Sequence, residues 1–303
     1  MTDVPAADVP AQVAADVTRV GVVGGGLMGS GIAEVCVRAG LDVTVVEADT
    51  GRVAASRGRV VSSLDRATSR NKLSADDRDR ALERLSFTTD LNQLADRQLV
   101  VEAVAEDERL KVEVFQDLDK VVEDRGAILA SNTSSIPIMK LGMATSRPRH
   151  VIGIHFFNPV PVLALVELVP SLLTDEQTLV RAEAFVGEVL GKKAIRSQDR
   201  AGFVVNALLV PYLLSAVRML ESGFASAADI DSGMVLGCAH PMGPLALADL
   251  IGLDTIHAIA ESLYAEFKEP LYSAPPLLMR MVDAGLLGKK NGRGFYEYGP
   301  AGA

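Results

Sequence analysis

The chain has 303 residues, which at about 100–200 residues per domain predicts two domains, each able to bury a core. Its 30 lysines and arginines against 39 aspartates and glutamates leave a net charge of −9, which argues against a broad basic face for duplex nucleic acid. With 49% hydrophobic and 23% charged residues the bulk is neither disordered nor fibrous, and two cysteines, Cys36 and Cys238, are too few for a disulfide framework. That cysteine usage predicts a reducing compartment, the cytoplasm by default.

In chain order, residues 1–17 open with MTDVPAADVPAQVAAD, which lacks a basic segment and an apolar run, so a disordered lead-in is expected rather than a secretory signal. Arg19–Val23 reads as a buried strand, the glycine turn GGGLMG follows, and a helix is predicted from Ser30 to Ala39, stopped by Gly40. A second strand starts at Val43, a long helix covers Thr50 to about Arg70, and Ser74 opens another helix with Asp76 and Asp77 in its first turn. Further strands are expected at Leu99–Val104 and Ala127–Asn132, and the run from Val151 is strand-like with a turn at Asn158–Pro161. Strands alternating with helices predict an α/β domain over 18–198 with a mostly parallel sheet covered on both faces. From 199 to 303 an all-α domain is expected, with helices at Phe203–Glu221, Ala227–Leu236, Pro244–Phe267 and Leu277–Ala284 and one strand candidate, GFYEY. The longest apolar run, GFVVNALLVPYLLSAV, is interrupted by Asn206 and Pro211, so no membrane partner is expected.

Gly24, Gly26 and Gly29 have the G-x-G-x-x-G spacing between a strand and a helix, with Leu27 and Met28 inside the turn. The first glycine permits the tight turn, the second lets backbone approach a pyrophosphate, and the third lets helix and strand pack closely. Glu47 ends the second strand, where a carboxylate accepts hydrogen bonds from ribose hydroxyls and repels a 2′-phosphate. NAD is therefore predicted over NADP, with Arg52 nearby keeping NADP open. Downstream, six basic residues between Gly51 and Lys72 face one acidic residue, Asp65. Arg59, Ser63, Arg66 and Arg70 share one helical face, either a solvated surface or a platform for a phosphate-bearing ligand such as coenzyme A.

Four histidines are present. His155 lies in the apolar run VIGIHFFNPVPVLALVELV, whose single carboxylate is Glu167. A buried carboxylate needs a partner, and a turn at 158–161 would return Glu167 beside His155. Such a pair is either a satisfied structural contact or a general base with its orienter. The SNTSS run, 131–135, follows a strand end, where open α/β sheets bind ligands. Asn206 is a polar residue on an otherwise apolar helix. No Cys/His cluster suggests a metal.

The segments VGVVGGGLMGSGIA, ASNTSS, HFFNPVP, LVELV, GFVVNALLVPYLLSA, HPMGPLALADLIGLD and GKKNGRGFYEY resemble the 3-hydroxyacyl-CoA dehydrogenase family, most closely its short-chain bacterial members. The resemblance runs from about Arg19 to Tyr298. It implies a Rossmann-type NAD-binding domain, a helical C-terminal domain that makes a homodimer, and a short-chain acyl-CoA substrate of fatty-acid or butanoate metabolism. By the resemblance, His155 is the catalytic base, Glu167 its partner, Ser134 a contact to substrate and cofactor, and Asn206 a neighbour of the substrate oxygen. It also implies cofactor contacts from Glu106, Lys111, Asn158 and Lys290, with Glu47 where the family usually has aspartate. Coenzyme A contacts fall on Ser63 and Arg70, with Arg66 on the same face. Arginine replaces the family's lysine at position 70, which keeps the charge and changes the donor geometry. A general β-oxidation enzyme, a dehydrogenase of free hydroxy acids and a non-catalytic NAD-binding relative are the alternatives; chain length, direction and pathway stay open.

Overall fold

The computed structural model describes residues 17–299, so the expected lead-in lies outside the described residues except for Val17, which is 5% exposed and belongs to the core. The chain divides into two compact units between Asp199 and Arg200.

In the first unit, strand β1 (Arg19–Val23) leads through the glycine turn into helix α1 (Leu27–Arg38), and β2 (Asp42–Val46) follows. Helix α2 (Thr50–Ser69) is started by Asp49, whose carboxylate accepts from the Arg52 amide, and α3 (Ala75–Glu83) by Ser74, which accepts from the Asp77 amide. Then come β3 (Leu85–Thr88), β4 (Leu99–Glu102), α4 (Glu108–Val121), β5 (Ile128–Ser131), α5 (Ile138–Met143), β6 (Val151–Phe156), β7 (Leu165–Pro170), α6 (Glu176–Ala184) and β8 (Lys193–Arg196). The sheet order is β3-β2-β1-β4-β5-β6-β7-β8. All neighbours are parallel except β6 and β7, which run antiparallel. The central strands are valine-, isoleucine- and leucine-rich and buried along their length, as a sheet covered on both faces requires. The expected order of elements holds, with three shifts: α1 begins three residues earlier than its glycines suggest, β4 ends at Glu102, and β3 and β8 had no sequence counterpart.

The second unit is helical: α7 (Val205–Glu221), α8 (Ala227–Cys238), α9 (Pro244–Ile251), α10 (Leu253–Phe267) and α11 (Pro276–Asp283), around Leu213, Leu214, Leu245, Ile256, Leu263 and Leu278. Two expectations are corrected. The run Pro244–Phe267 is two helices, because Gly252 has φ +106°, a backbone conformation outside any helix. GFYEY is not a strand: the Phe295 and Tyr296 amides donate to the buried Asp249 carboxylate at 3.0 and 2.9 Å, which leaves only isolated bridges at Arg293. Asp231 accepts from the Leu245 and Ala246 amides at 2.8 and 2.9 Å, satisfying the start of α9. No helix among the described residues is long and apolar enough to cross a membrane.

Candidate active site

The glycine turn is shaped by contacts that only glycine allows. Gly24 has φ +88°, and a Cβ on Gly29 would lie 1.8 Å from the Gly24 carbonyl oxygen. Gly26 differs: a Cβ there would meet nothing within 4 Å, so no protein contact demands glycine at that position. Gly26 also caps α1 without a side-chain hydrogen bond, leaving the first helical amides for a ligand.

Glu47 is held beside this turn. Its Oε1 accepts from the Gly25 amide at 2.9 Å and lies 2.5 Å from Ser56 Oγ. Ser56 Oγ is also 2.8 Å from the Gly25 carbonyl and has one hydrogen to give to either. Ser30 Oγ and Arg59 Nη1 donate to the same carbonyl at 2.6 and 3.1 Å. The backbone N–H and C=O of Gly25 thus tie Glu47, α1 and α2 together at the glycine turn. A cleft of about 480 Å³ is lined by Gly24, Gly26, Glu47, Arg52, Arg59 and residues after β4. The open space at Gly26, the uncapped α1 and the anchored carboxylate fit a dinucleotide with its pyrophosphate at the helix start and a ribose at Glu47.

A second cleft of about 510 Å³ runs along α1 and α2. Arg59, Ser63 and Arg66 line it together with Asn158, Pro159 and Pro161 of the connection between β6 and β7. Arg59 borders both clefts. Arg70 caps the C-terminus of α2. Asp65, the one acidic residue of this stretch, pairs with Arg78 at 2.9 Å. Among the described residues no carboxylate pairs with Arg57, Arg66, Arg70 or Lys72. In a chain of net charge −9 this leaves an uncompensated cationic face.

His155 and Glu167 are direct cross-strand partners on β6 and β7. His155 Nδ1 lies 2.8 Å from Glu167 Oε2, and the two residues are 6% and 0% exposed. A carboxylate only accepts, so the neutral imidazole carries its hydrogen on Nδ1 and its basic lone pair on Nε2. The ring packs edge-on against Phe157, with centroids 4.7 Å apart. One residue on, the Phe156 amide donates to Asn132 Oδ1 at 2.9 Å, tying the SNTSS loop to the strand that carries His155.

That loop rests on a polar network that runs from the exposed Glu106 down to the buried Lys111 and Glu102. Glu106 Oε1 accepts from Thr133 Oγ1 at 2.5 Å, Ser135 Oγ at 2.9 Å, and the Ser134 and Ser135 amides at 3.0 and 3.1 Å. Ser134 Oγ is 3.5 Å from the same oxygen, long for a hydroxyl hydrogen bond. Burial works against ionisation of Glu106, but the Lys111 ammonium and the Thr133, Ser135 and Ser134 donors outweigh it and hold the carboxyl below the usual glutamate range. Lys111, expected as a cofactor contact, lies beneath the same loop. It is 1% exposed, with its ammonium 2.6 Å from Glu102 and 3.3 Å from Glu106, so it supports the loop from beneath. Glu102, fully buried, also accepts from Ser131 Oγ at 2.6 Å and the Val104 amide at 2.7 Å. Glu102 and Ser56 were not expected at the site, although the buried-strand position of Glu102 in LVVEAV was a signal that it needs a partner.

In the second unit, Asn206 occupies the first turn of α7, half-buried, and Lys290 pairs with Asp254 at the start of α10. Both cysteines are free, Cys36 buried and Cys238 exposed. Among the described residues no group of three or more metal-ligating side chains occurs.

Residues 19–200 match the family model for the NAD binding domain of 3-hydroxyacyl-CoA dehydrogenase, and residues 202–298 match that for its C-terminal domain. A 3-hydroxybutyryl-CoA dehydrogenase of Mycobacterium tuberculosis is 62% identical over 93% of this chain and 99% of its own length. A probable 3-hydroxybutyryl-CoA dehydrogenase of Deinococcus radiodurans is 44% identical over 92% of this chain and all of its own. Among solved structures, M. tuberculosis FadB2 superposes with a TM-score of 0.92 at 62% identity, covering 93% of this chain and 99% of that one. The (S)-3-hydroxybutyryl-CoA dehydrogenase PaaH1 of Ralstonia eutropha superposes with a TM-score of 0.88 at 46% identity and the same coverage.

Proposed function

The chain belongs to the 3-hydroxyacyl-CoA dehydrogenase family, and from that premise we propose that it interconverts (S)-3-hydroxybutyryl-CoA, or a short homologue, with acetoacetyl-CoA. The observation that carries the reading is the His155–Glu167 pair, buried at adjacent strand positions and bonded at 2.8 Å.

In the oxidative direction His155 takes the proton of the C3 hydroxyl at Nε2. Glu167 holds the Nδ1 hydrogen, fixes the ring and stabilises the imidazolium that forms. A neutral imidazole without that carboxylate would be a weaker and less well-oriented base. Ser134, whose hydroxyl is only loosely engaged by Glu106, orients the C3 oxygen. Bound NAD supplies the hydride acceptor. Gly24, Gly26, Leu27, Met28 and Gly29 would hold its pyrophosphate, Glu47 its adenine ribose, and Glu106 and Asn158 its nicotinamide half. Lys111, its ammonium 3.3 Å from Glu106, is proposed to serve the same half. Ser63, Arg66 and Arg70 hold the phosphates of coenzyme A, an assignment supported by the uncompensated charge of the two arginines. Asn206 and Lys290 are assigned to the substrate oxygen and the cofactor by family resemblance, and a second copy of the chain is the partner proposed on the same ground.

The test is absorbance at the NADH band with acetoacetyl-CoA, free acetoacetate and a longer 3-ketoacyl-CoA, repeated with NADPH. Fast NADH oxidation by acetoacetyl-CoA, with little on the free acid, is expected. A faster rate on the longer ester would turn the reading to general β-oxidation, comparable rates on the free acid would remove the role of α2, and a preference for NADPH would overturn the Glu47 argument.

A further inference from the structure

Lys192 lies just before β8, and its ammonium makes two hydrogen bonds of 2.7 Å, to the carbonyls of Val160 and Leu163. These carbonyls belong to the connection between β6 and β7, the segment that separates His155 from Glu167 in sequence. Lys192 is itself fixed from both sides: its own amide donates to Val186 O at 3.0 Å, and the Lys193 amide donates to Ala164 O at 2.8 Å. Among the described residues it forms no ion pair, so its charge is not spent on a surface contact. The placement is unfavourable for a cation, since burial and then the neighbouring Arg38 push its ammonium below the usual lysine range. The two carbonyls are what offset that cost.

The inner side of the same connection is packed against α1. Val160 is 2% exposed, and its Cβ approaches Gly31 so closely that a Cβ added there would sit 2.8 Å away. The outer side has no such packing: Val162 is 69% exposed. Asn158, Pro159 and Pro161 of this segment line the cleft that also contains Arg59, Ser63 and Arg66. The ladder between β6 and β7 fixes the catalytic pair, but it stops at Phe156 and Val166 and does not extend to the segment between them.

We infer that Lys192 is a positioning residue for the ligand cleft: it clasps the 158–163 connection from outside and holds Asn158, Pro159 and Pro161 against the α1–α2 groove. The inference rests on the proposed acyl-CoA reading for its kinetic consequence, though not for the clasp itself. Its action is on binding, because His155 and Glu167 are held by strand register whether or not the connection is clasped.

Hydrogen exchange at the Val162 and Leu163 amides, both bonded to Pro159 O at 2.9 and 3.0 Å, reads the clasp with no substrate present. Lys192→Met is expected to speed their exchange about tenfold or more while leaving β6 and β7 protected. With acetoacetyl-CoA and NADH, the same variant should raise the KM of the ester about tenfold and lower kcat less than about threefold. Lys192→Arg, which keeps charge and donors, should restore both readouts, and Lys192→Gln serves if the methionine variant does not fold. Unchanged exchange and unchanged KM would overturn the inference. So would a parallel fall in kcat, KM-normalised rate and melting temperature that arginine does not rescue, since that is the signature of a fold-wide role. If the wild-type protein were inactive on every CoA ester, the proposed function would fail, and the exchange result would still decide the clasp.

Discussion

His155 and Glu167 stand at registered positions on adjacent strands, 6% and 0% exposed, whereas Arg66 and Arg70 stand on an exposed helical face with no carboxylate against them. The first arrangement is desolvated and set by strand register, so removing one partner takes from the other a buried hydrogen bond worth about 1–3 kcal/mol. The second is hydrated and screened, and each charge acts almost alone. The contrast teaches that two groups in one protein can serve the same reaction on unequal terms: in the proposed function the pair would contribute to the chemical step and the helix to the capture of an anion.

The largest effect should come from the pair. His155→Gln is expected to lower kcat by about 10² to 10⁴, the range for a lost general base, with the NADH dissociation constant nearly unchanged. A kcat within a few-fold of wild type, measured by NADH absorbance, would erase the distinction between the two regions. Smaller effects belong to the helix: Arg66→Ala and Arg70→Ala should each raise the KM for acetoacetyl-CoA about two- to fivefold with kcat kept. That difference should shrink as salt rises, because the Debye length falls from about 10 Å at 0.1 M to about 3 Å at 1 M. A KM indifferent to both substitutions would make the face a solvated surface.

The smallest expected effect separates the strand that carries His155 from the loop beside it. The Glu106 carboxyl is held below the usual glutamate range, by the Lys111 ammonium and the serine and threonine donors against the opposing effect of burial. A carboxyl depressed in the folded state contributes stability above its unfolded pKa and loses it as pH falls through the folded value. The melting temperature should therefore drop on acidification below the ordinary glutamate range, and Glu106→Gln should remove part of that drop. Identical acid profiles for the two proteins would mean that the network does not hold the loop.

Much of this was legible in the sequence where one local pattern sufficed. The glycine spacing between two β-branched runs located the β1–α1–β2 unit, and a single carboxylate in an apolar run located Glu167 as the partner of His155. The Arg59–Arg70 face followed from helical periodicity alone. What escaped depends on contacts between distant residues or on backbone geometry. The edge strand β3, LSFT, and β8, KAIR, are four residues each with mixed polarity, and pairing rather than composition makes them strands. The break at Gly252 lies in a run that is apolar and helix-compatible on both sides, and only its φ reveals two helices. The burial of Lys111 was hidden because its partner Glu102 lies nine residues away across a strand-to-helix turn. GFYEY alternates as a strand would, yet its amides are claimed by Asp249 from 46 and 47 residues away.

The most direct test of the central claim is a double-mutant cycle on kcat with His155→Gln, Glu167→Gln and the combined variant, all with acetoacetyl-CoA and NADH. If Glu167 works through His155, the double variant should be impaired no more than about threefold beyond His155→Gln alone, since groups that act as a unit are strongly non-additive. Losses that multiply across the two positions would show that the two side chains act independently, and would contradict the assignment of a carboxylate-oriented histidine base.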